Sequence, residues 1–416
     1  MNKNSFNVFC LLTSTIFIIN SSLGKTVYIL MDKKSFHKLE ANNKPYSKKR
    51  PEIESKSDYI TFKMDDQDLI MLSKQTHKAL HTCGGFKSFY NPFELQDYMD
   101  RSKKLQVTEN HHLMASLGKD LFVKEVTSLS SKFSQSNIID QWFGQIERPK
   151  MNKMIEKLTS YKTRYYKSPE GIAAMNWIYE QWKEITKIRS DVTLTKFKHS
   201  NFEQPSIILS FKGATNPQET LVFGGHGDSI NTDDGPKGVA PGADDNAAGV
   251  ALLTEIIRLI VENNYQPNHT VTFMVYAAEE VGILGSYEIT KSYRKNKINV
   301  TGALMFDGVN FQGKTFEMAL ISDFTNKTQN EYVGALIDEY IQVPWTYQKC
   351  GYPCSDHGAW NYEGYPVSFP VETIATEQNP HFHTKRDTFD KSNFDTVHAE
   401  KFLKLGLAFL LEKDAK

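Results

Sequence analysis

Cysteine is scarce in this sequence, with four residues among 416. A small scaffold built from disulfides is therefore excluded, and the fold must rest on a hydrophobic core. Neither charge sign is in surplus, because 49 basic side chains are balanced by 49 acidic ones. Nucleic-acid binding as the main role would require a basic surplus or stripe, so we expect no nucleic-acid partner. A hydrophobic fraction of 40% excludes wholesale disorder.

Apolar runs long enough to span a bilayer are also absent. Lys3 precedes a mostly apolar run, Phe6–Ile19, and Ser22 and Gly24 occupy the −3 and −1 positions of a signal-peptidase site. The run is shorter than the ~20 apolar residues of a membrane span, which argues against the alternative of a membrane anchor. The sequence therefore predicts a signal peptide at residues 1–24, export by the secretion machinery, and a secreted protein with no membrane span.

Beyond about residue 140, segments typical of strands and helices alternate along the chain. The predicted strands are Ser206–Phe211, Leu221–Gly225, Thr270–Ala277, Thr301–Phe306 and Pro366–Val371. The predicted helices are Lys150–Thr163, Pro169–Thr186, Ala247–Asn263, Gly285–Tyr293, Lys327–Ile341 and Thr396–Leu411. Apolar runs, rather than strict apolar–polar alternation, indicate strands that are buried on both faces. The sequence thus predicts an α/β fold with a mostly parallel central sheet sandwiched between helices.

Residues of metal-ligand type follow the ends of three predicted strands. They are His226 and Asp228, Glu279 and Glu280, and Asp307, and loops elsewhere add Asp244, Asp245 and His383. In open α/β sheets, ligands bind at the carboxyl ends of strands, so these side chains should converge. Imidazole and carboxylate without thiolate suit Zn²⁺, with Co²⁺ or Mn²⁺ as substitutes. Two histidines and three carboxylates can hold two such ions if one carboxylate bridges them, which is typical of hydrolases whose nucleophile is a hydroxide between two metals.

Five motifs carry a resemblance to a known family. They are GGHGDS at Gly224–Ser229, PGADDNAAG at Pro241–Gly249, YAAEEVGILGS at Tyr276–Ser286, CGYPCSDHGAW at Cys350–Trp360 and NPHFHT at Asn379–Thr384. From about residue 139 to residue 411, the sequence resembles the secreted two-zinc leucyl aminopeptidases of bacteria, within the zinc exopeptidases. The resemblance implies the zinc-exopeptidase fold, preceded by a small α+β pro-region. It also implies a metallo-aminopeptidase that acts on peptides with a free N-terminus.

The resemblance further implies how two Zn²⁺ ions would be held in each subunit. One ion would be bound by His226, Asp244 and Asp307. The other would be bound by Asp244, Glu280 and His383, so that Asp244 bridges the two ions. These five side chains are the predicted metal ligands.

Two further residues have implied roles beside these ligands. Glu279 would be the general base, which takes a proton from the attacking water and returns it to the leaving amine. Asp228 would hydrogen-bond the far nitrogen of the His226 imidazole and fix its tautomer. The bond between Asp244 and Asp245 is the candidate for a cis peptide that aims the bridging carboxylate.

The substrate side of the site is also implied by the resemblance. Cys350 and Cys354 would form a disulfide that closes a tight loop, with two reduced thiols as the alternative. Tyr352, inside that loop, would help to stabilise the tetrahedral intermediate. The apolar pocket for the first side chain of the substrate would consist of Ile321, Tyr352, Phe369, Val371 and Phe382.

Around this pocket the sequence departs from the family pattern. Gly308 follows Asp307 where the relatives often have methionine, and Ala375 and Gln378 replace aromatic residues. We expect a preference for large hydrophobic, leucine-like residues, whereas Glu377 nearby leaves a preference for lysine or arginine as the alternative. Glutaminyl cyclisation, which usually employs one zinc, and a non-catalytic receptor ectodomain are further alternatives on this fold. The complete set of ligands favours hydrolysis.

The lysine-rich segment at residues 25–120 occupies the place of the pro-region in these enzymes. We expect it to be a propeptide that assists folding or masks the cleft of a zymogen until a maturation protease removes it. The mature enzyme would then be a monomeric catalytic domain at residues 121–416. The competing hypothesis is that the segment is a permanent accessory domain.

Overall fold

The structure is a computed structural model that describes residues 25–42, 53–56, 59–80, 86–100 and 133–416. We call the described residues between 25 and 100 the N-terminal unit and residues 133–416 the C-terminal unit. The predicted signal peptide and the predicted propeptide boundary near residue 120 lie outside the described residues. Within the described ranges, no helix combines the length and the hydropathy that a bilayer crossing requires.

An antiparallel sheet with three helices forms the N-terminal unit. Its strands are β1 (Thr26–Asp32), β2 (Ile53–Lys56), β3 (Tyr59–Asp65) and β4 (Lys87–Phe89), in the order β2-β3-β1-β4. Its helices are α1 (Lys33–Asn42), α2 (Leu69–Leu80) and α3 (92–100). Both faces of β1 are covered, because Val27 and Ile29 are buried on one face and Leu30 is buried on the other. The unit therefore has α+β architecture.

The strands of the C-terminal unit form two sheets. They are β5 (Val192–Phe197), β6 (Ser206–Phe211), β7 (Asn216–His226), β8 (His269–Tyr276), β9 (Asn299–Met305), β10 (Met318–Ile321), β11 (Trp345–Gln348), β12 (Val367–Ser368) and β13 (Pro370–Val371). The larger sheet has the order β12-β9-β7-β8-β6-β5. Its first four strands are parallel, whereas β6 and β5 are antiparallel to their neighbours. The sheet is thus mixed: the predicted strand at Ser206–Phe211 belongs to its antiparallel part, and the other four predicted strands lie at least partly in its parallel part.

Helices cover both faces of this larger sheet. They are α4 (Ser136–Phe143), α5 (Arg148–Thr159), α6 (Pro169–Thr186), α7 (Gly249–Glu262), α8 (Leu284–Lys295), α9 (Lys327–Leu336), α10 (His357–Tyr362) and α11 (Val397–Asp414). Leu221 and Phe223 on β7 share a buried cluster with residues of α5, α6, α7, α9 and α11. Val222, which points to the opposite face, lies in a cluster with Ile289 of α8 and Trp360 of α10. The layered α/β architecture agrees with the prediction.

The smaller sheet has the order β11-β10-β13 and abuts the larger one. The sequence predicted one strand at Pro366–Val371, but the structure divides this segment into β12 and β13, which belong to different sheets. Proline cannot donate to a strand ladder, so Pro370 cannot continue the pairing of β12 with β9. The carbonyl of Phe369, between the two strands, accepts a hydrogen bond from the Ile321 amide at 2.9 Å. This segment therefore joins the two sheets beside the carboxyl ends of the parallel strands.

Candidate metal centre

Five chain segments bring acidic and histidine side chains together at the carboxyl edge of the larger sheet. His226 ends β7, Glu280 follows β8 and Asp307 follows β9, because neighbouring parallel strands end at the same edge. The Nε2 atom of His226 lies 3.0 Å from Oδ1 of Asp245 and 3.3 Å from Oδ1 of Asp307. The Nε2 atom of His383 lies 3.0 Å from Oδ2 of Asp245 and 2.8 Å from Oε2 of Glu280. The two imidazoles thus face opposite oxygens of one carboxylate.

Asp245, not Asp244, occupies the shared position between the histidines. Ligand atoms of His226, Asp245 and Glu280 all lie within 4.8 Å of one another. The carboxylate of Asp244 instead accepts hydrogen bonds from the amides of Val309 at 3.2 Å and Asn310 at 2.7 Å. The prediction of Asp244 as the bridging ligand is therefore wrong by one residue. Neighbouring side chains in an irregular turn point in different directions, and the sequence does not show which of them faces the histidines.

The predicted cis peptide is shifted in the same way. The sequence placed it between Asp244 and Asp245, and the structure has it between Asp245 and Asn246. The turn that contains both bonds, Ala243–Ala248, departs from helical geometry at Asp245 and Asn246. Past this turn the chain continues directly into α7.

A buried acid behind the metal centre holds the turn that carries Asp245. Asp387 is 1% exposed, and its carboxylate accepts hydrogen bonds from the amides of Asp244 at 3.3 Å and Asp245 at 3.1 Å. The side-chain amide of Asn379 donates to both Asp387 and Asp244, at 3.1 and 3.2 Å. The sequence does not reveal this role, because a lone aspartate in a loop carries no sign of such main-chain contacts.

Arg164 is a second residue that the sequence did not reveal. Its buried guanidinium donates to the main-chain oxygens of Gly227 at 2.9 Å, Gly242 at 2.9 Å and Pro241. Gly242 has a φ of +54°, and a Cβ there would lie 2.8 Å from Nη2 of Arg164, so the turn needs glycine at this position. Burial lowers the pKa of Arg164, and the charge of Asp387 opposes that effect. The arginine therefore ties the His226 loop to the turn that carries Asp245.

Asp228 aligns the segment that contains the two glutamates. Its carboxylate accepts hydrogen bonds from the amides of Glu279 at 3.0 Å and Glu280 at 3.2 Å. The sequence predicted that this carboxylate would bind the His226 imidazole, and its Oδ1 atom lies 3.5 Å from Nδ1 of His226. The main-chain oxygen of Asp228 is nearer to that nitrogen, at 3.2 Å. Asp228 thus touches both the histidine and the glutamates.

The electrostatics of the site are dominated by buried carboxylates. Burial alone would raise the pKa of Asp245, but its hydrogen bonds to His226 and His383 lower it well below its ordinary value. Burial, together with repulsion from Asp245, raises the pKa of Glu280 to about 7. Burial likewise raises the pKa of Glu279 well above its ordinary value. A divalent cation among these oxygens would oppose such shifts, because its charge favours the ionised carboxylates.

The donor set fits Zn²⁺. It consists of two imidazole nitrogens and the carboxylates of Asp245, Glu280 and Asp307, with no thiolate among the five side chains. Imidazole and carboxylate ligands are typical of zinc sites, and one carboxylate with an imidazole on each oxygen can bridge two ions. Ser355 donates a hydrogen bond to Oδ2 of Asp307 at 2.8 Å and so fixes the orientation of that carboxylate.

The predicted substrate-binding residues are all buried. Ile321, Phe369 and Val371 belong to one apolar cluster, and a further ring that the sequence did not suggest, His357, stacks on Phe369 at 4.6 Å. Phe382 lies against Gly308, where a Cβ would meet its ring at 3.0 Å. The ring of Phe382 thus lies close to Gly308, the position at which the sequence departs from the family pattern.

The disulfide between Cys350 and Cys354 is present, as predicted. Tyr352, inside the loop that it closes, is 6% exposed. The carboxylate of Asp323 accepts hydrogen bonds from the amides of Cys350 at 3.0 Å and Gly351 at 2.7 Å. This loop is therefore held both by its disulfide and by a neighbouring acid.

Glu377, which the sequence left open as a partner for a basic substrate, has other contacts. Its Oε2 atom accepts hydrogen bonds from the amides of Lys314 at 2.7 Å and Thr315 at 2.8 Å. Its Oε1 atom accepts a hydrogen bond from the Thr315 hydroxyl at 2.5 Å. Both oxygens are thus engaged in a turn of the protein itself.

The chain belongs to peptidase family M28. The model of this family matches residues 206–407. A probable aminopeptidase of Saccharomyces cerevisiae, YDR415C, is 33% identical over 289 residues, which cover 68% of this chain and 77% of the relative. Leucine aminopeptidase 1 of Fusarium vanettenii is 32% identical over 310 residues, which cover 71% of this chain and 78% of the relative. The resemblance that the five motifs predicted is confirmed at the level of the peptidase family.

A solved structure has the same fold. The LapA aminopeptidase of Legionella pneumophila matches with a TM-score of 0.75 at 24% identity, over 94% of this chain and 99% of that chain. A likeness at this identity shows the fold alone. Coverage of 94% exceeds what residues 133–416 could supply, so the shared fold extends into the N-terminal unit.

Proposed function

We propose that this protein is an aminopeptidase that uses two Zn²⁺ ions to release large hydrophobic residues from the N-terminus of peptides. The observation that carries the proposal is the position of Asp245, whose two oxygens face the imidazoles of His226 and His383 at 3.0 Å each. Membership of peptidase family M28 supports peptide hydrolysis. The relative from Fusarium vanettenii is named a leucine aminopeptidase, which supports the N-terminal cut and a leucine-like preference.

In this proposal the ligands divide into two sets that share Asp245. His226 and Asp307 complete one set, because the histidine nitrogen lies between the two carboxylates. Glu280 and His383 complete the other. Zn²⁺ ions bound there would polarise the scissile carbonyl group and lower the pKa of a water molecule.

Glu279 would move the proton in the reaction. Its carboxylate would accept a proton from the attacking water and return it to the nitrogen of the leaving amine. Asp228 contributes by holding the Glu279 and Glu280 amides, which fixes the two side chains relative to each other. Tyr352, in the disulfide loop, would donate a hydrogen bond from its hydroxyl to the developing oxyanion.

The apolar pocket would select the first side chain of the substrate. Ile321, Phe369, Val371 and Phe382 are buried hydrophobic residues, and Phe382 directly precedes the ligand His383. A cationic side chain would lose its hydration in such an apolar pocket, and Glu377 is held in its own turn by hydrogen bonds from Lys314 and Thr315. These contacts favour a leucine-like residue over lysine or arginine.

The predicted signal peptide supports export, and we propose that the enzyme is secreted and acts as a monomer on extracellular peptides. Mass spectrometry of the exported protein tests cleavage of the signal peptide, and we expect a mass that lacks residues 1–24. An exported protein that still begins at Met1 would contradict cleavage.

Hydrolysis of leucyl p-nitroanilide by the purified full chain tests the proposed function. We expect activity with two zinc ions per chain, loss of that activity with 1,10-phenanthroline, and recovery when zinc is added back. Full activity in the metal-free protein would contradict the proposal. One zinc ion per chain, together with cyclisation of N-terminal glutamine, would instead support the glutaminyl cyclase alternative.

The preference for the first residue is tested with leucyl and lysyl anilides. We expect kcat/KM to be at least about 10-fold higher for leucine, because an apolar pocket offers a lysine no partner. Glu377→Gln is expected to change the leucine-to-lysine ratio by less than about 2-fold, as a substitution at an exposed turn should. A collapse of lysine hydrolysis in that variant would show that Glu377 binds the substrate.

A further inference from the structure

The N-terminal and C-terminal units share their apolar interiors. Val27 and Ile29, on one face of β1, lie in a buried cluster with residues of the C-terminal unit, namely Tyr165, Tyr166, Ile230, Ala278, Val281 and Leu284. Leu30, on the other face of β1, lies in a second cluster, which contains Ile283, Tyr287, Ala359 and Tyr362. Continuous apolar packing of this kind is typical of parts that stay together, whereas separable domains meet through more polar surfaces.

Lys87 of β4 lies in a cage of aromatic rings from both units. The side chain is almost inaccessible, and its Nζ atom lies 4.3 Å from the ring centroid of Tyr98 in the N-terminal unit. The same atom lies 4.1 Å from the ring of Tyr287 and 5.4 Å from that of Tyr362, both in the C-terminal unit. Tyr98 also stacks on Tyr362 with centroids 4.0 Å apart. Burial lowers the pKa of Lys87 to about 7, and the ring faces that both units supply stabilise its charged form.

Ser88, the next residue of β4, touches the turn that follows the two glutamates of the metal centre. Its hydroxyl donates a hydrogen bond of 2.7 Å to the main-chain oxygen of Val281. Gly282 has a φ of +104°, and a Cβ there would lie 2.9 Å from the Ser88 amide nitrogen. The amides of Gly282 and Ile283 in turn donate to the oxygen of Glu279 at 2.9 and 2.8 Å. The strand therefore braces the turn on which Glu279 is carried.

The first described residue is already tied to both units. The main-chain nitrogen of Lys25 lies 3.1 Å from Oδ1 of Asp66, whose side chain is buried. Lys167 of the C-terminal unit pairs with the other oxygen of Asp66 at 2.6 Å, and the Lys25 side chain donates to the oxygen of Asn201 at 2.8 Å. Cleavage after Gly24 would turn the Lys25 nitrogen into an ammonium group beside a buried carboxylate, which strengthens that contact.

We propose that the active enzyme begins at Lys25 and keeps residues 25–100 as a permanent part, with Ser88 as a positioning residue for the turn that carries Glu279 and Glu280. This is the accessory-domain hypothesis rather than the removed propeptide at residues 25–120. The role of Ser88 rests on the proposed function of the two glutamates, whereas retention of the unit does not. Loss of the unit would expose Val281, Ile283 and Tyr287 as an apolar patch next to the site.

The chains present in the active, exported enzyme decide the question of retention. Every chain that co-elutes with leucyl anilide hydrolysis on size exclusion is analysed by N-terminal sequencing and intact mass. We expect a chain that begins Lys25-Thr26-Val27 in a 1:1 ratio with the C-terminal unit, whether joined to it or nicked from it. Activity in a species whose chains all begin after Asp100 would overturn the proposal. A folded protein that begins at Lys25 but hydrolyses no aminoacyl substrate would instead overturn the proposed function.

Ser88→Ala tests the positioning role. We expect kcat to fall about 10-fold with KM and zinc content unchanged, because a displaced general base slows the reaction without altering the pocket. The control is Ser73→Ala, since Ser73 is buried in the same unit and its hydroxyl has no hydrogen-bond partner among the described residues. Equal kcat in the two variants would contradict the role of Ser88. Ser88→Cys keeps a weaker donor, so its kcat is expected to fall less than that of Ser88→Ala. If Ser88→Ala does not fold, a kcat in Ser88→Cys that falls about 10-fold or more, with zinc content unchanged, would contradict the role.

Discussion

Asp245→Asn is expected to leave the protein with less than one zinc ion per chain and to lower kcat/KM by at least about 10³-fold, because several kcal/mol of transition-state stabilisation depend on the metals. The asparagine has nearly the same size, but it carries no charge and offers one oxygen where the structure uses two. Both His226 and His383 would lose the ionised carboxylate of residue 245, which they share. Zinc analysis of the purified variant and steady-state kinetics measure the two effects.

Asp244→Asn is the matched control, since it makes the same change one residue earlier. The Asp244 carboxylate accepts hydrogen bonds from main-chain amides and does not face the histidines. We expect this variant to keep two zinc ions and to lose less than about 10-fold in kcat/KM, as the loss of one buried hydrogen-bond acceptor would predict. If Asp244→Asn loses the metals and Asp245→Asn keeps them, the assignment of the shared ligand is wrong.

Glu279→Gln is expected to lower kcat by roughly 10²- to 10⁴-fold, the range that a general base contributes. The amide cannot accept the proton, yet it preserves the size of the side chain. The hydrogen bond that the main-chain amide of residue 279 donates to Asp228 does not depend on the side chain. KM and zinc content should therefore change little. Steady-state kinetics on leucyl anilide, together with metal analysis, separates this result from a loss of zinc.

Glu377→Gln serves as the control for this substitution, because it makes the same chemical change at an exposed turn, where the carboxylate contacts Lys314 and Thr315. Its kcat is expected to match that of the unchanged enzyme. A Glu279→Gln variant with the same kcat as this control would show that another group takes the proton.

Much of the C-terminal unit could be predicted because its strands are apolar runs. The strand at Ser206–Phe211 and the helix at Pro169–Thr186 were predicted with the bounds that the structure has. The antiparallel strand β5 (Val192–Phe197) was not predicted. It lies at the edge of the sheet, none of its residues is fully buried, and its sequence therefore forms no apolar run. The position of the acids at one sheet edge followed from the parallel order of the strands, which places their carboxyl ends together.

What the sequence did not reveal depends on contacts between distant segments. Arg164 and Asp387 have no local motif, and they act by holding main-chain atoms of turns that are remote in the sequence. The choice between Asp244 and Asp245 depends on the direction of two neighbouring side chains in a turn without regular geometry. Spacing in a motif limits the candidates to these two, and three-dimensional contacts are needed to choose one.

The loop at residues 379–387 both supplies His383 and, through Asp387, clamps the turn that carries Asp245. In the proposed enzyme a bound ion would therefore act as a reversible cross-link between the end of the chain and the middle of the sheet. Such a cross-link joins segments that are distant in the sequence, as a disulfide does, but it forms only in the folded protein and can be undone by chelation. The cooperative unfolding of the C-terminal unit should consequently depend on free zinc, with each tenfold rise above the dissociation constant adding about 1.4 kcal/mol for each independently bound ion.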